Sequence, residues 1–128
     1  MGKYSQSNVS KKNPLWIPKN RYYELKYFCL QYWDWQKERA QLDGMASKEN
    51  REPTEWEGVR KAELEGKIKM VMTCLRLASR DLEEHLLYGV TKGLSYDTLS
   101  ARKQIPACRE TYYNAYRKFF YLLDGARN

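Results

Sequence analysis

The chain has 128 residues, enough for one domain with a real core, and carries a formal charge of +7 with 42% apolar and 14% aromatic residues. No apolar run approaches the roughly 18 residues that span a bilayer, and "MGKYSQSNVSKK" lacks the hydrophobic segment of a signal peptide. The cysteines, Cys29, Cys74 and Cys108, are odd in number and widely spaced, which argues against a disulfide framework or a zinc site and for reduced thiols in a soluble intracellular protein.

Residues 1–13 are polar, basic and without periodicity, and read as a mobile tail; 14–128 read as a single all-helical domain. In "NPLWIP", Trp16 and Ile17 lie between two prolines, as an extended clasp would. From Asn20, a good cap, the pattern is helical to about residue 42, with Tyr22, Leu25, Cys29 and Tyr32 or Trp33 recurring every three or four positions. The aromatic cluster at 32–35 leaves open one bent helix or two short ones, the second capped by Asp34. Asp43-Gly44 is the expected end, followed by a polar loop.

Thr54 and Glu57 form a T-x-x-E capping box, so a helix is predicted over 54–78. Its seam of Leu64, Ile68, Val71, Leu75 and Ala78 asks for a helical partner, most simply the first helix lying antiparallel. The seam lasts only about three heptads, which favours an intramolecular hairpin over a dimeric coiled coil. Monomer and homodimer both remain open. Ser79 with Asp81, Glu83 and Glu84 marks the next start, because acids complement the positive end of a helix dipole. That helix carries Leu82, Leu86 and Val90 and ends near Gly93.

Ser95 caps a short helix from Tyr96 to about Lys103, and Ile105-Pro106 interrupts it, because a proline removes a donor and pushes its predecessor out of the α region. A last helix is predicted from about Cys108 to Leu123. Tyr112, Tyr116, Phe119 and Leu123 share one face of it. Arg109, Tyr113, Asn114, Arg117 and Lys118 lie on the others. The fold class is therefore all-α: a helical hairpin, about 20–42 and 54–78, followed by a C-terminal helix-turn-helix within 80–123.

The excess charge sits where such a reader needs it. Residues 1–20 hold Lys3, Lys11, Lys12 and Lys19 with no acid, and 91–118 hold six bases against two acids, whereas 54–84 hold six bases against seven acids. The expected partner is double-stranded DNA. Arg109, Tyr113 and Asn114 would face base edges; Arg102, Lys103, Arg117 and Lys118, with Lys11 and Lys12, would contact phosphate. Short helices joined by proline turns also occur in many all-α domains that never touch DNA. No catalytic constellation competes with this reading. His85 is the one histidine, no serine or cysteine is placed to use it, and no phosphate loop or metal spacing appears, so neither an enzyme nor a cofactor is expected.

Three stretches, "KNRYYELKYFCLQYWDWQKE", "VTKGLSYDTLSARKQIP" and "RETYYNAYRKFFYLL", make the chain resemble small phage and prophage proteins of Gram-positive, clostridial-type bacteria. These are distantly similar to RinA/ArpU-type late transcriptional regulators, whose C-terminal part is similar to the helix-turn-helix of sigma factors. The resemblance runs from about Asn13 to Leu123. It implies an all-helical fold, binding to promoter DNA, transcriptional regulation and a location in the bacterial host cytoplasm. The rival expectation is a protein-interaction module that inhibits a host defence protein or engages RNA polymerase through the aromatics Tyr32, Trp33 and Trp35.

Overall fold

A computed structural model describes residues 11–128, and among these it is all-helical: α1 (Lys19–Cys29), α2 (Tyr32–Lys48), α3 (Glu55–Ala78), α4 (Glu83–Lys92), α5 (Tyr96–Arg102) and α6 (Arg109–Ala126). The tail predicted over 1–13 falls largely outside the described residues. The clasp that follows it buries Ile17, and the Pro18 carbonyl accepts the first helical bond of α1, from Tyr22 N–H at 2.9 Å. Asn20 is therefore inside α1, not its cap.

The aromatic stretch resolves into two helices, and the break falls earlier than Asp34. Gln31 N–H turns back to Phe28 at 3.2 Å, a tightened last turn, and the Gln31 amide donates to the Tyr27 carbonyl at 3.3 Å. Asp34 lies in the first turn of α2, where its charge still favours the helix dipole. Gly44 does not end α2, which continues to Lys48. There Asn50 takes the left-handed conformation (φ 50°), with Asn50 N–H bonded to Ser47 and Arg51 N–H to Ala46, both at 3.1 Å. That pair of bonds is a Schellman motif with asparagine where glycine is commoner.

The capping box forms as predicted: Glu57 N–H donates to Thr54 Oγ1 at 3.2 Å and Thr54 N–H to Glu57 Oε1 at 2.8 Å. Arg51 closes the junction, donating to both Glu57 oxygens at 2.7 and 3.1 Å. Its guanidinium, together with the Thr54 amide, holds buried Glu57 down at about 2. Contacts then run in opposite order along α2 and α3, with Asp43 to Lys61 (2.7 Å), Glu38 to Arg60 (2.6 Å) and Lys67 over the Trp35 ring (5.7 Å). The antiparallel hairpin thus pairs α3 with α2, not with the opening segment α1.

The seam of α3 is buried at Leu64, Ile68, Val71 and Leu75, but its most extensive partner is α6. α6 is the central helix, touching α1, α3, α4 and α5. Arg21 to Asp124 (2.7 Å) and a buried hydroxyl bond between Tyr22 and Tyr116 (2.8 Å) tie α1 to it. Ser79 Oγ accepts from Leu82 N–H at 3.3 Å just before α4, and Gly93, at φ 66°, ends α4 in the left-handed region that only glycine enters without cost. Ser95 caps α5, accepting from Thr98 N–H at 3.2 Å. No helix among the described residues is long and apolar enough to cross a membrane.

Candidate nucleic-acid interface

α6 begins where the chain leaves the Ile105-Pro106 turn, whose Ile105 is buried as an anchor. Its inner face is wider than the spacing of Tyr112, Tyr116, Phe119 and Leu123 indicates. Tyr113, Ala115 and Phe120 are buried as well. The outer stripe carries Glu110, Thr111, Asn114, Lys118 and Tyr121, all exposed, with Arg117 half-buried beside them.

Of the three residues expected at base edges, the structure leaves one clearly outward. Tyr113 is only 6% exposed, and its hydroxyl accepts from Tyr96 N–H at 3.1 Å, supplying a partner for an amide that the first turn of α5 cannot satisfy itself. It is a packing residue and is withdrawn from base contact. Arg109 is at the surface, but its guanidinium is engaged by Asp97 and lies 5.7 Å from the Tyr96 ring centroid. Together with Tyr96 Oη donating to the Ala107 carbonyl at 2.8 Å, this clamps the start of α6 to α5. Asn114 is exposed, and its Oδ1 accepts from Arg117 Nη2 at 2.6 Å. Bidentate recognition of adenine needs both ends of the amide; Oδ1 has a second lone pair for the adenine amino group, so Asn114 would make it while sharing that oxygen with Arg117.

The expected phosphate cations divide into groups. Arg117 and Lys118 share the outer side of α6. Arg102 and Lys103 instead line a cleft with Tyr88 and Lys92 of α4, Leu94 of the turn after it and Leu99 of α5. Lys103 Nζ is 2.7 Å from Glu84, and each holds the other charged: the carboxyl is lowered and the ammonium raised. Lys11 lies over Trp16, its ammonium 5.9 Å from the ring centroid, and Lys12 is exposed next to it.

The aromatics of the rival reading also separate. Tyr32 and Trp35 are core, and Trp33 is 37% exposed. What the sequence did not reveal is that Trp33 stacks on Tyr88, distant along the chain, with Lys92 over both rings. Only the i,i+4 spacing of Tyr88 and Lys92 hinted at it. His85 lines a shallow cleft with Arg80, Asp81 and Glu83, and its Nδ1 is buried without a hydrogen-bond partner. Among the described residues no group of three or more His, Cys, Asp or Glu is placed to hold a metal ion. Cys108, exposed at the start of α6, has its thiol lowered by bonding to Thr111, whereas burial raises Cys29 and Cys74.

No protein-family model, curated protein or solved structure matches this chain.

Proposed function

We propose that the protein binds double-stranded DNA through the outer side of α6 and acts as a phage-type transcriptional regulator. The observation that carries this reading is the division of α6 into two sides. Seven of its residues are sunk in the core, while Asn114, Arg117 and Lys118 gather on the opposite surface. α5 and α6, joined by the 103–108 turn, would form the reader, with α4 as its support. Asn114 is the residue for a base edge, Arg117 and Lys118 are for phosphate, and Arg109 joins them only by exchanging Asp97 for the nucleic acid. A chain with a formal charge of +7 supplies the long-range attraction.

The test is a fluorescence-anisotropy titration of the full chain with duplex DNA over a salt series. Each phosphate contact contributes about 0.9 to the slope of log affinity against log salt. Lys118→Ala should weaken binding on all sequences and lower that slope by about 1. Asn114→Ala should cost roughly 5- to 150-fold on the preferred sequence and little on others. A salt-independent affinity, or an unchanged affinity in both variants, would rule the reading out.

A second reading, a protein-interaction module engaging RNA polymerase or a host defence protein, has one feature on its side. Trp56 and Val59 lie three residues apart near the start of α3 and are 66% and 54% exposed. Exposed tryptophan is a common interface anchor. A partner retained after nuclease treatment by the parent chain and lost by Trp56→Ala would favour this reading over DNA.

A further inference from the structure

We propose that Trp33, Tyr88 and the cations around them form a second site, which takes an unpaired nucleobase and its phosphate from single-stranded nucleic acid. It lies on α2, α4 and α5 and does not depend on the α6 reading.

The rings come first. Trp33 and Tyr88 stack with centroids 6.0 Å apart and planes 15° apart. The indole is fixed before any ligand arrives. Trp33 Nε1 donates to Thr91 Oγ1 at 2.9 Å, that hydroxyl donates to the Leu87 carbonyl, and Tyr32 meets the indole edge-on at 5.0 Å. A ring held this way loses little freedom when a base lands on it.

The cations come second. Lys92 Nζ is 5.3 Å from the Trp33 centroid and 5.4 Å from that of Tyr88, and Lys103 Nζ is 5.2 Å from Tyr88. Arg102 stands on the same cleft. Among the described residues neither Lys92 nor Arg102 has a carboxylate partner, and Lys103 has Glu84. An ammonium over an exposed ring is worth only about 0.5–1 kcal/mol. A base can therefore displace it from the ring face, and the displaced ammonium can move to the phosphate.

Size and chemistry select the ligand. The cleft beside Tyr88 is not lined by Trp33, which adjoins it through its stack on Tyr88 and the shared Lys92. It is about 180 Å³, smaller than the roughly 300–1,000 Å³ that encloses a drug-sized molecule, so it suits one planar ring or one phosphate. Its floor is apolar, Leu94 and Leu99, and its rim is cationic. In a duplex the base faces are covered by their neighbours and only edges are offered, so an aromatic face is of no use to paired DNA. An unpaired base offers its face, and stacking on an aromatic tolerates any sequence.

The experiment uses the whole chain and a labelled oligothymidylate about 12 nucleotides long. Its competitors are a duplex of equal length, free thymidine monophosphate and polyglutamate. The single strand should bind, and Trp33→Ala or Tyr88→Ala should weaken it by roughly 5- to 150-fold. Lys92→Ala with Arg102→Ala changes exposed side chains only, so it reads the site even if an aromatic variant fails to fold, and it should weaken binding and its salt dependence. Glu84→Gln should strengthen binding by freeing Lys103. Lys118→Ala should leave the single strand untouched, which separates this site from α6. Polyglutamate or duplex competing as well as the single strand would overturn the proposal. Thymidine monophosphate competing as well per nucleotide would overturn the strand and leave a free nucleotide as the ligand. Folded aromatic variants that bind like the parent would overturn both.

Discussion

Gly89 and Tyr112 set the distance between α4 and α6, and exchanging their atoms tests the packing behind the candidate interface. A Cβ built on Gly89 would stand 2.1 Å from Tyr112 Oη, 3.4 Å from Leu99 Cδ1 and 3.5 Å from Tyr112 Cζ. Only the hydroxyl clashes; the other two are ordinary contacts. The ring cannot step aside, because Tyr112 is fully buried and meets Tyr96, Tyr113 and Tyr116 with centroids 5.6, 5.1 and 6.4 Å away. Alanine gains about 1 kcal/mol over glycine in a helix interior. Overpacking costs about 1–3 kcal/mol, and more where no rotamer is free. Gly89→Ala alone should therefore destabilise the fold by up to about 2 kcal/mol. Tyr112→Phe removes the clashing atom, a hydroxyl that has no hydrogen-bond partner among the described atoms, so it should be neutral or stabilising. In that background Gly89→Ala should change sign and stabilise by up to about 1 kcal/mol. The coupling is then the whole overpacking cost, about 1–3 kcal/mol, well above the roughly 0.3–0.5 kcal/mol within which independent sites add. Urea unfolding of the four proteins, followed by far-UV circular dichroism, measures it. Additive effects would show that the close approach of α4 and α6 is wrong. A Tyr112→Phe cost above about 1 kcal/mol would show that the hydroxyl has a partner.

Glu57 is held at about 2, first by Arg51 and then by the Thr54 amide, whereas a free glutamate titrates near about 4.3. Its stabilisation should be whole above pH about 5 and lost as pH falls toward about 2, and Glu57→Gln should flatten the acid unfolding curve over that window; parallel curves would refute the network. Among the cysteines, Cys108 is exposed with a lowered thiol and the other two are buried with raised ones, so a thiol reagent should modify one cysteine quickly in the native state. Two or three fast thiols would contradict the burial of Cys29 and Cys74. Asp97→Asn should release Arg109, raise duplex affinity and steepen its salt slope by about 1; no change in the anisotropy titration would mean that Arg109 never reaches DNA.

Where a signal was local, the sequence carried it. The Thr54/Glu57 box, the Ser95 cap and the Gly93 stop each rest on side chains within a few residues of the backbone they serve, and all three form. The end of α2 was misread because Gly44 is surrounded by open space, while Leu42 and Ala46 are buried on either side of it. Burying those two continues the helix through a glycine that costs only about 1 kcal/mol, and Asn50 makes the turn instead. Tyr113 was misplaced for a different reason. One helical period locates the centre of a buried face but not its width, and the width depends on how many helices surround α6. Likewise Trp33 and Trp35 are alike in composition, and the break at Leu30–Gln31 decides which of them turns outward.

The width of that buried face also bounds how α6 could read DNA. The major groove is about 12 Å wide and a helix with its side chains about 10–12 Å across, so a reading helix must stand clear of its own domain. α6 is flanked by α1, α3, α4 and α5, which leaves a stripe, not a free rod. Entry would then be by its first turns, as in readers whose N-terminal residues meet the bases. Those turns hold Asn114, already bonded to Arg117, and Arg109, already bonded to Asp97. The Arg109 contact thus begins with the loss of Asp97 and Asn114 shares its oxygen with Arg117, whereas the exposed Lys118 can meet phosphate without any exchange. Binding through this helix should accordingly rest more on phosphate than on base edges and be weak in its choice of sequence, with a specificity ratio at the lower end of the roughly 10³–10⁷ range. A ratio near the upper end would require base-reading groups that the outer stripe of α6 does not display.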